Sequence, residues 1–425
     1  MNHAIHNIPA MLRYILLLLA VSPAFSYGCR NSSELMHKRN AMKRKYNIEN
    51  LYGYNKAFLG KYTQIIELKS GNSAIILVPA WQGRVMTSTA EGENGFSFGW
   101  INHNLISSGE LQPHINAYGG EERFWLGPEG GQYSVFFPQD SSFTFENWQT
   151  PPVINTESYE VVEKSANSVL FRKEASLVNY SGFNFKLKIE RRVTLLHPEE
   201  TPHLSEFDFK GLNIVAYSSS NTITNTGNIE WKKETGLLSI WMLGMFNPSP
   251  SVVVIIPVRE GATESLGPIV NDNYFGSISS DRLKIIGNHV FFKADGKSRG
   301  KIGIPPLRTT GVMGSYDFEN NILNLLFCDL PEGETDYVNS AWELQENPYS
   351  GDAYNSYNDG PLEDGYQMGP FYELETSSPA AKLKPGESLT HVQITVHLSG
   401  KKEKLIEVSE KILGVNPDKI AGIFN

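Results

Sequence analysis

The chain has 425 residues, of which 40% are hydrophobic, and it carries 46 Asp and Glu against 37 Lys and Arg. That apolar content excludes a disordered main body, and a net charge of −9 without a basic stripe excludes general attraction to nucleic acid. The only cysteines, Cys29 and Cys328, exclude a disulfide framework and a cysteine metal site.

At the N-terminus Arg13 precedes an apolar run over 14–21 that is too short to span a bilayer as a mature helix, so 1–28 reads as a signal peptide. Ala24-Phe25-Ser26 suits cleavage at a small-x-small site and predicts a soluble exported, periplasmic chain. Ser26-Tyr27-Gly28-Cys29 resembles a lipoprotein box and predicts lipidation of Cys29 and anchoring at a bacterial envelope membrane. The basic cluster from His37 to Lys45 falls in a linker, 29–50.

From residue 51 onward, short alternating apolar and polar runs are punctuated by Gly, Asn, Asp and Pro, as half-buried strands and turns are. Strands are predicted over 62–68 and 74–78 as a hairpin, over 159–164 and 169–174 as a second pair, and over 185–196. In the last of these, Arg191 interrupts a face made by Phe185, Leu187, Ile189, Val193 and Leu195. Further strands are predicted over 213–221, 238–245, 252–258, 283–286, 290–293, 324–329, 371–376 and 390–398, with 347–369 as a long loop. Cys328 reads as a small core residue, and His391 and His397 as same-face residues of a partly exposed strand. Only beyond Gly400 does the period become helical, placing Leu405, Ile406, Val408 and Ile412 on one side of a surface helix. The predicted fold is all-β: one large antiparallel β-sandwich over 51–400, with a short C-terminal helix in the tail 401–425.

Three segments concentrate polar and aromatic residues. The first runs from Gln112 through His114, Tyr118, Gly119-Gly120-Glu121-Glu122-Arg123 and Trp125 to Gly131; its glycines permit close backbone approach, and it supplies acceptors, a guanidinium fork and a stacking plate. A glycine-rich loop closed by an Arg–Glu pair is the competing structural reading. The second segment runs from Tyr354 past Asp359 to Glu373-Leu374-Glu375. Its two glutamates share a strand face because the side-chain period is two, and they repel unless a cation intervenes. A solvated sheet face is the structural alternative. The third segment holds Arg308 and Asp317, which suit either a hydroxylated ligand or a loop-pinning pair. No histidine has zinc-binding spacing; calcium is the ion that the acidic cluster would suit, through oxygen ligands.

In this order the segments resemble those of exported bacterial proteins related to the aldose 1-epimerases, of the galactose mutarotase-like superfamily. Ala74-Ile75-Ile76-Leu77-Val78-Pro79-Ala80-Trp81-Gln82-Gly83-Arg84-Val85 is similar to the early epimerase hairpin. Asn116-Ala117-Tyr118-Gly119-Gly120 resembles the segment where epimerases carry a His before two glycines, Met245-Phe246-Asn247 their Tyr-Phe-Asn, and Glu373-Leu374-Glu375-Thr376-Ser377-Ser378-Pro379-Ala380 the strand with their catalytic Glu. The resemblance implies a galactose mutarotase-like sandwich with Glu375 as base and Glu373 as alternate. Tyr118 stands at the first histidine position and Leu243-Gly244 precede the second segment, so the acid falls to His114 or to a protonated Glu.

The expectation is a carbohydrate-active protein whose concave sheet face presents Glu121, Glu122, Arg123, Trp125, Asp359, Glu373 and Glu375 to a mono- or oligosaccharide, without an organic cofactor. If catalytic, it is epimerase-like or another carbohydrate-active enzyme. The alternatives are a non-catalytic glycan-binding lipoprotein of a saccharide-uptake system and a structural envelope protein.

Overall fold

In the computed structural model, residues 46–201 and 203–424 are described; the segment expected to be a signal peptide, Cys29 and most of the expected linker lie outside them. The strands are β1 (Ile66–Ser70), β2 (Ser73–Val78), β3 (Arg84–Thr89), β4 (Arg123–Gly127), β5 (Glu160–Lys164), β6 (Ser168–Val178), β7 (Asn184–Leu196), β8 (Leu212–Asn225), β9 (Ser239–Phe246), β10 (Val252–Pro257), β11 (Leu283–Ile286), β12 (His289–Lys293), β13 (Gly300–Ile304), β14 (Val312–Asp317), β15 (Ile322–Cys328), β16 (Tyr354–Asn358), β17 (Tyr372–Ser377) and β18 (Ser388–Gly400). They form an antiparallel ten-stranded sheet, β11-β12-β10-β14-β15-β18-β8-β7-β6-β5, an antiparallel five-stranded sheet, β13-β16-β17-β9-β4, and the small meander β1-β2-β3.

Around β10, β14 and β15 the ten-stranded sheet is buried on both faces, and β10 explains how. Val252, Val254 and Ile256 pack against Phe246, Ile302, Ile304, Tyr372 and Leu374 of the five-stranded sheet. The alternate residues Val253 and Ile255 join Leu323, Leu325, Val396 and Leu398 beneath the C-terminal helix. Because successive strand residues point to opposite faces, one sheet serves two cores. The sequence expectation of an antiparallel sandwich with a docked C-terminal helix is what forms.

Helix α1 (Tyr52–Tyr62) takes the first residue of the predicted strand 62–68, which begins only at Ile66. Its buried side is Tyr52, Asn55 and Leu59, and the polar middle member masks the helical period. Asn55 is nonetheless satisfied there, donating to Glu49 O at 2.9 Å and Ser97 Oγ at 2.8 Å. The predicted loop 347–369 contains strand β16, which lies between β13 and β17. Its Asn355 and Ser356 donate to the neighbouring strands' Ile302 O and Glu373 O, so polar residues fill a buried strand without leaving orphan groups. His391 and His397 do share a strand, but both are buried rather than partly exposed. Buried Cys328, its thiol pushed up to about 12 by burial, lies in the core as expected.

Helix α2 (Lys402–Leu413) buries Leu405, Val408 and Leu413 on the outer face of the large sheet. The left-handed Gly414 ends it.

Candidate functional site

The five-stranded sheet turns one face into the sandwich and the other toward the loops at its ends. On the loop-covered face, strand pairing aligns Gly303, Asn355, Glu375, Leu243 and Arg123 in one row across the sheet. The next row toward one end holds Lys301, Tyr357, Glu373 and Met245. Toward the other end, Trp241 pairs with Trp125, their rings edge-to-face at 5.6 Å.

The two glutamates of β17 are each matched by a cation from a different strand. Arg123 donates to Glu373 from β4, and its guanidinium lies 4.9 Å from the Trp125 ring. Glu375 accepts at Oε2 from Trp241 Nε1 at 2.8 Å and from Lys301 Nζ at 3.0 Å. The Lys301 ammonium is seated 4.6 Å from the Trp241 ring, which holds it in place beside the carboxylate. Burial raises the Glu373 pKa above the usual carboxylate range; Arg123 opposes that rise and Glu375 adds to it.

Three buried polar atoms in this neighbourhood have no hydrogen-bond partner among the described residues: Glu375 Oε1, Arg123 Nε and Arg84 Nε. Arg84 donates instead to Gly119 O at 2.8 Å and Gln82 Oε1 at 3.1 Å. Burial lowers its pKa, and the nearby charge of Arg123 lowers it further. Buried unpaired donors and acceptors are costly, and Glu375 Oε1 and Arg123 Nε, both on strands of this face, are groups that a ligand could satisfy.

The walls come from the loops. Glu129, two residues past β4, accepts a hydrogen bond from the Trp342 side chain and feels the charges of Lys301 and Glu375; burial raises its pKa. Asp352 lies over Gly303, where a Cβ would come within 2.0 Å of its Oδ2, and it accepts from Asn271 Nδ2 and Tyr274 Oη. Burial pushes Asp352 up to about 6 despite those hydrogen bonds. Asp359 joins the face through Tyr357, whose hydroxyl donates to it at 2.6 Å.

Of the residues singled out from sequence, Arg123, Trp125, Glu373 and Glu375 therefore meet on this face, with Asp359 at its edge. Glu121 and Glu122 are turned elsewhere. The segment before β4 bridges Val85 and Ile101 rather than continuing the sheet, and both carboxylates enter the core. Glu122 accepts from Arg191 at 2.6 Å and from Gln393 at 3.0 Å, and Glu121 accepts from Ser88 at 3.0 Å and lies 3.7 Å from His397. Tyr118 stacks on Trp81 at 4.4 Å within the core of the small meander. Arg308 donates to the carbonyls of Arg259, Gly261 and Gly267, and Asp317 accepts from Ser249 and the turn amides of Glu319 and Asn320, so each pins a loop. His114 packs on Phe145 at 4.4 Å and hydrogen-bonds Trp148 O, in the loop wall.

Lys301, Trp241, Glu129 and Trp342 are not among the site residues expected from sequence, although Glu129 lies within the first polar segment. The run Lys301-Ile302-Gly303-Ile304 does carry a strand alternation that would have placed Lys301 opposite the buried isoleucines; the other three become neighbours only through tertiary contact. Among the described residues, no group of three His, Cys, Asp and Glu side chains is arranged to hold a metal ion.

Fold and face together define an antiparallel β-sandwich protein with a charged, indole-lined site on its smaller principal sheet. The chain belongs to a family of unknown function (DUF6786), which matches residues 50–424. No curated protein sequence matches it. Among solved structures it is similar to a protein of Synechocystis sp. PCC 6803, with 12% identity, a TM-score of 0.48, and 80% of this chain and 96% of that one covered. It is also similar to a galactose mutarotase-like protein from Lactobacillus casei, with 11% identity, a TM-score of 0.46, and 79% and 100% covered. A galactose mutarotase related enzyme from Lactobacillus acidophilus matches with 10% identity, a TM-score of 0.40, and 80% and 97% covered.

Proposed function

We propose that the protein is an exported carbohydrate-active protein that takes a sugar on the outer face of the five-stranded sheet, with Glu375 as general base and Glu129 as general acid. One observation carries this reading: Glu375 holds Trp241 and Lys301 on a single oxygen and keeps the other, Oε1, without a partner. A sugar hydroxyl is the kind of donor that would satisfy it, and indole faces beside carboxylates suit a pyranose that is apolar on its ring faces and polar at its edge.

In an epimerase-type step, Glu375 removes the proton of the anomeric hydroxyl while the bond from the anomeric carbon to the ring oxygen breaks. Glu129 delivers a proton to that ring oxygen, and both transfers reverse on closure from the other side. Glu129 suits the acid role because burial favours its protonated form.

The test is interconversion of anomers, together with release of reducing ends, across a panel of mono- and oligosaccharides. Glu375→Gln is expected to cut turnover by a factor of about 10² or more while leaving the circular dichroism spectrum unchanged. Wild-type activity is expected to fall as pH rises and Glu129 loses its proton; Glu129→Gln, which cannot titrate, removes that limb. Turnover unaffected by Glu375→Gln rejects the assignment. Saccharide binding with no turnover in either form would make the protein a glycan-binding one instead.

A further inference from the structure

The indoles beside Glu375 continue into a connected series of rings that reaches solvent. Trp125 packs on Phe136 at 5.4 Å, Phe136 stacks on Trp148 at 5.9 Å, and Trp148 stacks both on Trp342 at 5.9 Å and on Phe145 at 6.0 Å. The planes of the three stacked pairs differ by no more than 24°. Trp148 is enclosed, whereas Phe145 is 53% exposed and Trp342 partly so. Phe145 and Trp342 both rest on Trp148, and exposed apolar surface that is grouped in this way, unlike singly scattered residues, marks a site of interaction.

These rings are also held still. The loop after β4 and the loop before β16 are fastened by the Gln132 side chain, which donates to Gln345 O at 2.8 Å and accepts from Gln345 N at 2.9 Å. Phe145 is backed by His114, whose Nδ1 lies 2.7 Å from Trp148 O. Gly131, at a φ of +80°, admits the Gln345 side chain, which a Cβ would meet at 2.6 Å. Rings preorganised in this way lose little freedom when a ligand lies on them.

We infer that the ligand is a chain of linked sugars rather than a single one, with one unit over Glu375 and further units lying on the exposed faces of Trp342 and Phe145. This rests on the carbohydrate reading and extends it. Trp342 links the two parts, because the side chain that offers a plate to the chain also donates to Glu129. Successive pyranose rings present flat C–H faces that stack on aromatic rings, and the hydroxyl edges between them suit amides such as Gln149, which hydrogen-bonds His114 at 2.9 Å.

The experiment uses the full chain and an array of glucan, galactan, mannan and xylan oligomers from monosaccharide to hexasaccharide, followed by calorimetric titration of whichever series binds. Affinity is expected to rise about tenfold or more between the monosaccharide and the trisaccharide, as linked contacts reinforce one another. Phe145→Ala should flatten that rise and leave monosaccharide affinity unchanged, and Phe145→Tyr should restore it. Since Phe145 is exposed, melting temperatures of the variants should match the wild type. Monosaccharide binding that does not strengthen with length, or a length dependence that survives Phe145→Ala, overturns this inference alone. Failure of every saccharide to bind removes the carbohydrate reading as well.

Discussion

Arg191 and Glu122 each break a local rule, and each is the other's explanation. Arg191 interrupts an apolar strand face, and Glu122 sits among residues that look fit for a ligand; in the fold they form a fully buried pair at 2.6 Å. Arg191 also donates to Asn221 Oδ1 at 2.7 Å and to Gly83 O at 3.2 Å, so its donors are spread over the large sheet and the meander. Removing one member of a buried pair leaves an uncompensated charge. Arg191→Leu is therefore expected to cost about 3–5 kcal/mol in urea denaturation, and Glu122→Gln should cost less because the amide still accepts. The pair Arg123–Glu373 differs in facing the loops and in leaving Arg123 Nε unpartnered. Sequence spacing could show that Glu373 and Glu375 share a face; it could not show that Arg123 and Lys301 would arrive from other strands to separate their charges.

Among the elements, legibility followed side-chain composition. Strands β7, β10, β15 and β18 alternate or run apolar and were predicted nearly as they form. Of the strands that build the site, β16 falls in the stretch expected to be a long loop, and β4 and β13 are absent from the expected strands. Arg123, Lys301, Gly303, Asn355 and Tyr357 occupy positions that an ordinary buried strand would fill with aliphatic residues, because one face of this sheet serves a polar site. The C-terminal helix was legible for the opposite reason, its apolar stripe having a single use. Leu405 is fully buried in that stripe against the large sheet. Leu405→Ala is expected to destabilise the protein by about 2–5 kcal/mol, measured as a shift of the denaturation midpoint at unchanged slope.

Over the whole molecule, the two principal sheets meet through a layer that is apolar on one side and hydrogen-bonded on the other. Within the polar part Thr376 Oγ1 donates to Gln393 Oε1 at 2.7 Å, which leaves it to accept from His391 Nε2–H at 2.8 Å. Burial lowers His391 from 6.5 to about 4, so the folded protein keeps it neutral where the unfolded chain would protonate it. The sign follows: this contribution is complete above about pH 6.5 and is lost as pH falls toward 4, with a magnitude of about 3 kcal/mol. Denaturation midpoints of the wild type should decline across that window, and those of His391→Gln should decline less.

The order of residues by itself determined the class of fold, the docked terminal helix and the shared face of Glu373 and Glu375. Those features depend on periods of two and 3.6 residues, which any stretch of chain displays locally. Tertiary structure alone decided which charges meet. It sent Glu121 and Glu122 inward, gave Arg308 and Asp317 to loops, brought Lys301 and Trp241 to Glu375, and set Glu129 beside them. Pairings of this kind depend on strand order and on the paths of long loops, and residues separated by hundreds of positions leave no periodic trace of having become neighbours.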